Sequence, residues 1–363
     1  MLLDSFRQHL VLAAVLPALV SLAAHGAVSV EESASTSVFP SPRGRPASVV
    51  AGGGVNHPLS RAELEELRIL ASARFQSKDY VATVEAARRY LAAGGSDLEV
   101  RGMLGRAYFL SGDIENAARE LQLDIQAAER AGRIPSEERL RLLGTCYLRL
   151  KDSNAYTWSL ERLVTYYPRK PYWAELLERM LVRPDIRARL ALDVMRLRYL
   201  TDTLGEAQEF AQAASLALQA GFPLEAKAIL DKGFASGLLG SGKEADQHRR
   251  LQLQVRNRAD KERARLTQLD GEPKVVAEMN GLELVHLGFS YVTNGESQKG
   301  VALLERGLRK GGFGPIPQDT RLRVGIGYLL ADQKTNAIAI FKNVGGMHGA
   351  ADLARVWAIY AQH

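Results

Sequence analysis

The chain has 363 residues, 46% of them hydrophobic and 24% charged, with a formal net charge of +6. That length and apolar content suffice for a buried core. The single cysteine, Cys146, excludes an internal disulfide, and +6 spread over this length is too mild to demand a polyanionic partner.

Residues 1–27 have the layout of a secretory signal peptide. A short polar stretch (Asp4, Arg7, His9) precedes an apolar run from Leu10 to Leu22, and small residues follow, with Ala24 and Gly26 suited to a cleavage site. The run of about 13 residues is too short for a bilayer core, which takes roughly 20. A periplasmic location is therefore expected, with an uncleaved tether to the inner membrane as the alternative. Residues 28–60 turn to Ser, Thr, Pro and Gly, and Pro40, Pro42, Pro46 and Gly52-Gly53-Gly54 interrupt any helical period. This stretch reads as a flexible linker.

A repeat occupies residues 61–362. Lys78-Asp79, Gly112-Asp113 and Lys151-Asp152 recur in steps of 34 (78 to 112) and 39 (112 to 151), and a five-residue insertion around Gly132 to Pro135 explains the longer step. Ahead of the turns stand Leu104-Gly105 with Tyr108, and Leu143-Gly144 with Tyr147. Leu287-Gly288 with Tyr291, and Val324-Gly325 with Tyr328, repeat the pattern. After the turns a small residue (Ala117, Ala226, Gly300, Ala337) is followed four positions later by a large apolar one (Leu121, Leu230, Leu304, Phe341), which puts both on one helix face.

A 34-residue helix-turn-helix period is that of the tetratricopeptide repeat (TPR), so the fold class is an all-α hairpin solenoid of six to eight hairpins. Clear units cover about 64–97, 98–131, 137–170, 207–240, 281–314 and 318–349; residues 171–206 and 241–280 are degenerate. Turns near Asp185, Gly221, Arg258, Gly295 and Asp332 continue the series, and the charged stretch from Ser241 to Lys274 reads as a longer exposed helix pair. Ala350 to Ala361 (Leu353, Val356, Trp357, Tyr360) reads as an amphipathic capping helix.

Catalytic and cofactor motifs are missing. No two histidines have metal-ligand spacing, Cys146 has no CxxC partner, and neither GxSxG, HExxH nor GxxxxGK[ST] occurs. Gly311-Gly312-Phe313-Gly314 runs into Pro315 and Pro317 and reads as an inter-repeat turn rather than a phosphate loop. Cys146 occupies a core position. Glu65-Glu66 and Glu137-Glu138 read as first-turn carboxylates favoured by the helix dipole. Six arginines from Arg179 to Arg198 and eight Lys/Arg from Lys243 to Arg265 read as solvated helix faces, with acidic protein surfaces or anionic lipid as the alternative.

No enzyme and no cofactor are therefore expected, and function falls to the inner face lined by the first helices. Positions 5, 9, 12 and 13 of the first three units place Arg68, Phe75, Arg106, Phe109, Arg141 and Arg149 there. Arginines beside phenylalanines suit an acidic or amphipathic peptide, through paired charge and aromatic contact.

The order of features over residues 64–362 resembles the periplasmic TPR proteins that accompany TonB–ExbB–ExbD systems. The residues behind the resemblance are Pro168-Arg169-Lys170-Pro171-Tyr172-Trp173, Leu197 to Leu200, Ala217 to Lys227 with Gly233, Gly295, Leu303-Leu304-Glu305, Lys310-Gly311-Gly312 and Ala354 to Trp357. The resemblance implies an accessory scaffold that binds envelope proteins of the TonB/ExbB/ExbD type, with no catalytic residue. The alternative is a helper in assembly or export of a cell-envelope polymer.

Overall fold

The computed structural model describes residues 59–315, 317–346 and 349–363; the signal segment, the linker up to residue 58 and His348 lie outside them. The chain divides into two compact units, residues 1–66 and 67–363. In the first, Ser60 opens a helix by a reciprocal cap: its hydroxyl accepts from the Glu63 amide at 3.2 Å, and the Glu63 carboxylate accepts from the Ser60 amide at 2.8 Å. Those bonds hold the Glu63 carboxyl below the usual range. Glu63 is thus the first-turn acid of this helix, and Glu65 and Glu66 fall beyond it, contrary to expectation.

All regular structure among the described residues is helical, as an all-α TPR-type hairpin solenoid requires. Three regular hairpins come first: α1 (Arg61–Gln76) with α2 (Tyr80–Ala92), α3 (Leu98–Ser111) with α4 (Ile114–Arg130), and α5 (Glu137–Arg149) with α6 (Ser153–Tyr166). Then α7 (Lys170–Val182) is followed by the single turn α8 (Pro184–Arg187) and by α9 (Ala191–Leu200). Next come α10 (Ala207–Gln219) with α11 (Pro223–Ala235), α12 (Ala245–Asp270) and the short α13 (Pro273–Glu278). The chain ends in α14 (Gly281–Thr293) with α15 (Ser297–Lys310), α16 (Pro317–Leu330) with α17 (Lys334–Lys342), and α18 (Ala350–Ala361).

The repeated residues make the hairpins. Lys78, Gly112 and Lys151 adopt left-handed φ of 62°, 90° and 57°, reversing the chain. The aspartate after each caps the second helix: Asp79, Asp113 and Asp152 accept from the amides of Ala82, Asn116 and Ala155 at 3.1, 3.2 and 2.9 Å. Ala117, Ala226 and Ala337 are fully buried, and Leu121, Leu230, Leu304 and Phe341 nearly so. The glycine of the first helix lets the second approach. A Cβ on Gly288 would lie 2.7 Å from the Gly300 carbonyl oxygen and 2.9 Å from the Leu304 amide nitrogen, a clash with backbone that no side-chain motion relieves. Cys146 is buried, and burial pushes its thiol up to about 11. Gly311, Gly312 and Gly314 all have left-handed φ around the buried Phe313, the inter-repeat turn expected.

Two further expectations are corrected. No turn exists near Arg258: α12 runs unbroken through 26 residues. Its buried His248, Val255, Ala259, Leu266 and Leu269 form one helical stripe, no Gly or Pro interrupts it, and the pairs Asp246–Arg249, Asp260–Arg263 and Glu262–Arg265 extend along its surface. The lower end of that stripe packs into a cluster with Leu224, Met279, Leu284 and Leu287.

Nor are the arginines from Arg179 to Arg198 a solvated face, Arg187 excepted, which is exposed. Leu192 to Arg198 are buried without interruption. Arg196 donates Nε and Nη2 to Glu225, both at 2.7 Å, and Nη1 to Asp193 at 2.5 Å, with the Phe222 and Phe289 rings 5.1 and 4.4 Å from its Cζ. Arg323 of α16 reaches Asp193 at 3.4 Å, and Arg189 pairs with Asp319.

The physical reason is that the array closes on itself. Helix α16 lies against the α8–α9 segment through those pairs, and α18 extends past its own last hairpin to the third. Arg355 there forms a double bond set with Glu161 (3.0 and 2.8 Å), Tyr360 meets the Trp173 ring edge-on at 6.0 Å, and Arg183 reaches Asp352 at 2.8 Å. Helix α18 is both a cap and a fastening.

Candidate protein-binding face

Closure separates the arginines into two groups. Arg183, Arg189, Arg196, Arg198, Arg323 and Arg355 are all engaged by carboxylates of the chain itself. Arg106, Arg141 and Arg149, on the first helices of the second and third hairpins, are not engaged in this way, although Arg101 and Arg139 on the same helices pair with Glu120 and with Asp124 and Glu99. Arg106 makes no hydrogen bond among the described residues; its one ion pair, Nη1 to Glu138, spans 3.9 Å. Arg141 and Arg149 are exposed and have no carboxylate within ion-pair distance among the described residues.

Of the six predicted residues, the structure brings four together in two stacked pairs. The Arg106 guanidinium lies 4.9 Å from the centre of the Phe75 ring, and that of Arg149 lies 4.5 Å from Phe109. Each pair bridges successive first helices, α1 to α3 and α3 to α5, so the 34- and 39-residue steps of the sequence become physical contacts. Phe75 is also braced by Tyr80, edge-on at 5.9 Å. Arg68 and Arg141 belong to neither pair: Arg68 is half-buried with a contact of its own, and Arg141 stands exposed near Tyr172.

An apolar row that repeat position alone does not mark as exposed runs beside the stacked pairs. Leu148 and Val182 repeat Phe75 and Phe109 at the same position of their helices (75, 109, 148, 182), and they are 49% and 65% exposed; Leu110 beside them is 50% exposed. A solvent-exposed leucine or valine at a recurring position has no packing reason. Arg179 of α7 also lies over a ring, 4.2 Å from the centre of Tyr156, but that ring stands on the second helix α6 and Arg179 pairs with Glu175 at 3.1 Å. The face can therefore offer delocalised cations held flat on rings, with aliphatic side chains between them. That combination suits carboxylates and apolar groups together. Among the described residues no group of three His, Cys, Asp or Glu is placed to hold a metal.

No family model and no curated protein matches the sequence. Among solved structures the chain is similar to the TPR2AB domain of yeast Sti1 in its pHSP90 complex, at 9% identity and a TM-score of 0.27, over 84% of this chain and 95% of that one. A tetratricopeptide repeat protein from Parabacteroides merdae gives 13% identity and a TM-score of 0.28, over 81% and 98%. Yeast Tom70 gives 11% and 0.22, over 83% and 89%. Likeness at that level carries no argument about partners; the fold rests on the hairpins themselves.

Proposed function

We propose that the chain is a non-catalytic scaffold that grips segments of other proteins on the inner face of its first three hairpins. One observation carries this reading: Arg106, Arg141 and Arg149 lack carboxylate hydrogen bonds, whereas Arg183, Arg189, Arg196, Arg198, Arg323 and Arg355 are engaged by carboxylates of the chain. A guanidinium stacked on a ring, with no carboxylate of its own chain bonded to it, keeps donors available for a partner's carboxylate.

Residues 1–27 support a periplasmic setting, and the resemblance running from Pro168 to Trp357 supports service to a TonB-type energy-transduction complex. Partners of the TonB/ExbB/ExbD type are the first to test. Full-length protein carrying Arg106→Gln and Arg149→Gln should recover its envelope partners from native extract at a tenth or less of the wild-type yield, on the order of 1.4 kcal/mol in binding. Equal recovery by the double variant, with its helical content intact, would remove the face from the proposal.

A further inference from the structure

The insertion at 132–136 builds a cavity of about 400 Å³ against α3, α4 and α5, within the range of about 300–1,000 Å³ that small-ligand sites occupy. Its walls are preorganised. The Arg133 amide donates to the Ala128 carbonyl at 2.9 Å, and the Tyr167 hydroxyl donates to the Pro135 carbonyl at 2.9 Å, so the loop is held at both ends. Ile134 stands at the cavity, 68% exposed.

Arg139 closes one side, its Nη1 on the Asp124 carboxylate at 3.1 and 3.2 Å and its Nη2 on Glu99 at 2.5 Å. It crosses directly over Gly102, where a Cβ would lie 2.4 Å from the guanidinium carbon; only glycine leaves Arg139 that path. Both terminal nitrogens of Arg139 are thereby engaged, and its charge is offset by two carboxylates.

Arg106, on the same cavity, is the opposite case. Its Nε is buried without an acceptor, and no other nitrogen of its guanidinium is hydrogen-bonded among the described residues. Glu138, 75% exposed and 3.9 Å away, is beyond hydrogen-bond reach and free to swing into water. With Nε closed off, the two terminal nitrogens are the donors left to a ligand, and a carboxylate meets such a pair with charge-assisted bonds.

We propose that this cavity receives an acidic side chain followed by an aliphatic one from a partner's peptide segment. The carboxylate docks on Arg106 and displaces Glu138, and the aliphatic group packs on Ile134. This deepens the scaffold reading and rests on it, since it assigns one subsite of the inner face to one dipeptide.

The probe is a labelled, terminally blocked peptide of sequence Gly-Gly-Glu-Leu-Gly-Gly, titrated by fluorescence anisotropy onto the full chain. Versions with Gln for Glu and with Gly for Leu are titrated alongside. The expected result is at least about tenfold tighter binding of the Glu-Leu peptide than of its Gln version, and loss of that preference in Arg106→Gln. Ile134→Ser, an exposed loop change that leaves the core untouched, should weaken the Glu-Leu peptide several-fold and the Glu-Gly peptide not at all. Equal binding of the Glu and Gln peptides, or an undiminished preference in Arg106→Gln, overturns the proposal. Recovery of envelope partners by wild-type protein is read separately, so failure of the subsite and failure of the scaffold reading are distinguishable.

Discussion

Arg355 and Glu161, 194 positions apart, meet in a two-pronged ion pair, with Nε and Nη2 3.0 and 2.8 Å from the two carboxylate oxygens. Glu161 is buried on the third hairpin and Arg355 sits on the last helix, so the pair fastens the end of the chain to its middle. Removing the arginine strands a buried carboxylate. Because Arg355 itself is half exposed to water, Arg355→Ala should cost about 1–2 kcal/mol rather than the 3–5 of a fully buried pair. Urea unfolding followed by circular dichroism reads the loss; an unchanged midpoint would mean that the fastening is dispensable.

Acid should loosen the same closed region through His286. Its ring is stacked on Phe222 with centroids 4.4 Å apart, and burial, with the Arg265 and Arg323 charges nearby and Glu262 opposing them, pushes its pKa down to about 4. The folded value lies below the unfolded one, so the unfolded chain takes up the proton first. Stability is therefore full above the unfolded value of about 6.5 and falls as pH drops from there towards 4, by on the order of 2 kcal/mol. Wild-type unfolding midpoints measured across that window should slope downward with acid, and His286→Gln should flatten the slope.

Glycines at one repeat position should differ sharply in tolerance. A Cβ on Gly288 meets backbone of the opposing helix at 2.7 Å, whereas one on Gly144 meets side chains alone, the Tyr156 ring at 3.2 Å and the Ser159 Cβ at 3.9 Å. Gly288→Ala should cost about 3 kcal/mol, the upper range of overpacking, and Gly144→Ala less than about 1 kcal/mol, since alanine also favours the helix. Thermal melts of the two variants compare them directly, and equal losses would contradict the packing described.

The hairpin turns offer a gain of stability. Lys151 holds a left-handed φ of 57°, a conformation that strains a side-chain-bearing residue. Lys151→Gly should raise stability by about 0.5–1 kcal/mol, and Asp152→Ala, which removes the acceptor for the Ala155 amide at 2.9 Å, should lower it by about 1 kcal/mol. Denaturant titration gives both signs.

The hairpins were legible because their determinants are local. A left-handed residue followed by an aspartate cap, and Ala117 four positions before Leu121, need nothing beyond their own unit. The turn expected at Arg258 failed for the converse reason: the repeat ruler was extended across a stretch with no Gly, no Pro and a continuous buried stripe from Val255 to Leu269. Closure was not legible at all. Asp193 and Arg323, or Glu161 and Arg355, pair across more than one hundred positions, and nothing local distinguishes a buried arginine on α9 from an exposed one on α12. At the candidate face, repeat position alone located Phe75, Arg106, Phe109 and Arg149. Their pairing by stacking, and the internal engagement of Arg68, depend on side-chain directions that spacing does not specify.

The inner face of the first three hairpins is tested most directly by site-specific photo-crosslinking in the native envelope. A benzophenone amino acid replaces Leu110 or Leu148 on that face, or Leu253 on the exposed side of α12, and mass spectrometry reads what each captures. The scaffold reading predicts protein adducts from positions 110 and 148, lost when Arg106→Gln and Arg149→Gln are combined with them, and none from 253. Adducts from 253 alone, with 110 and 148 silent, would contradict it.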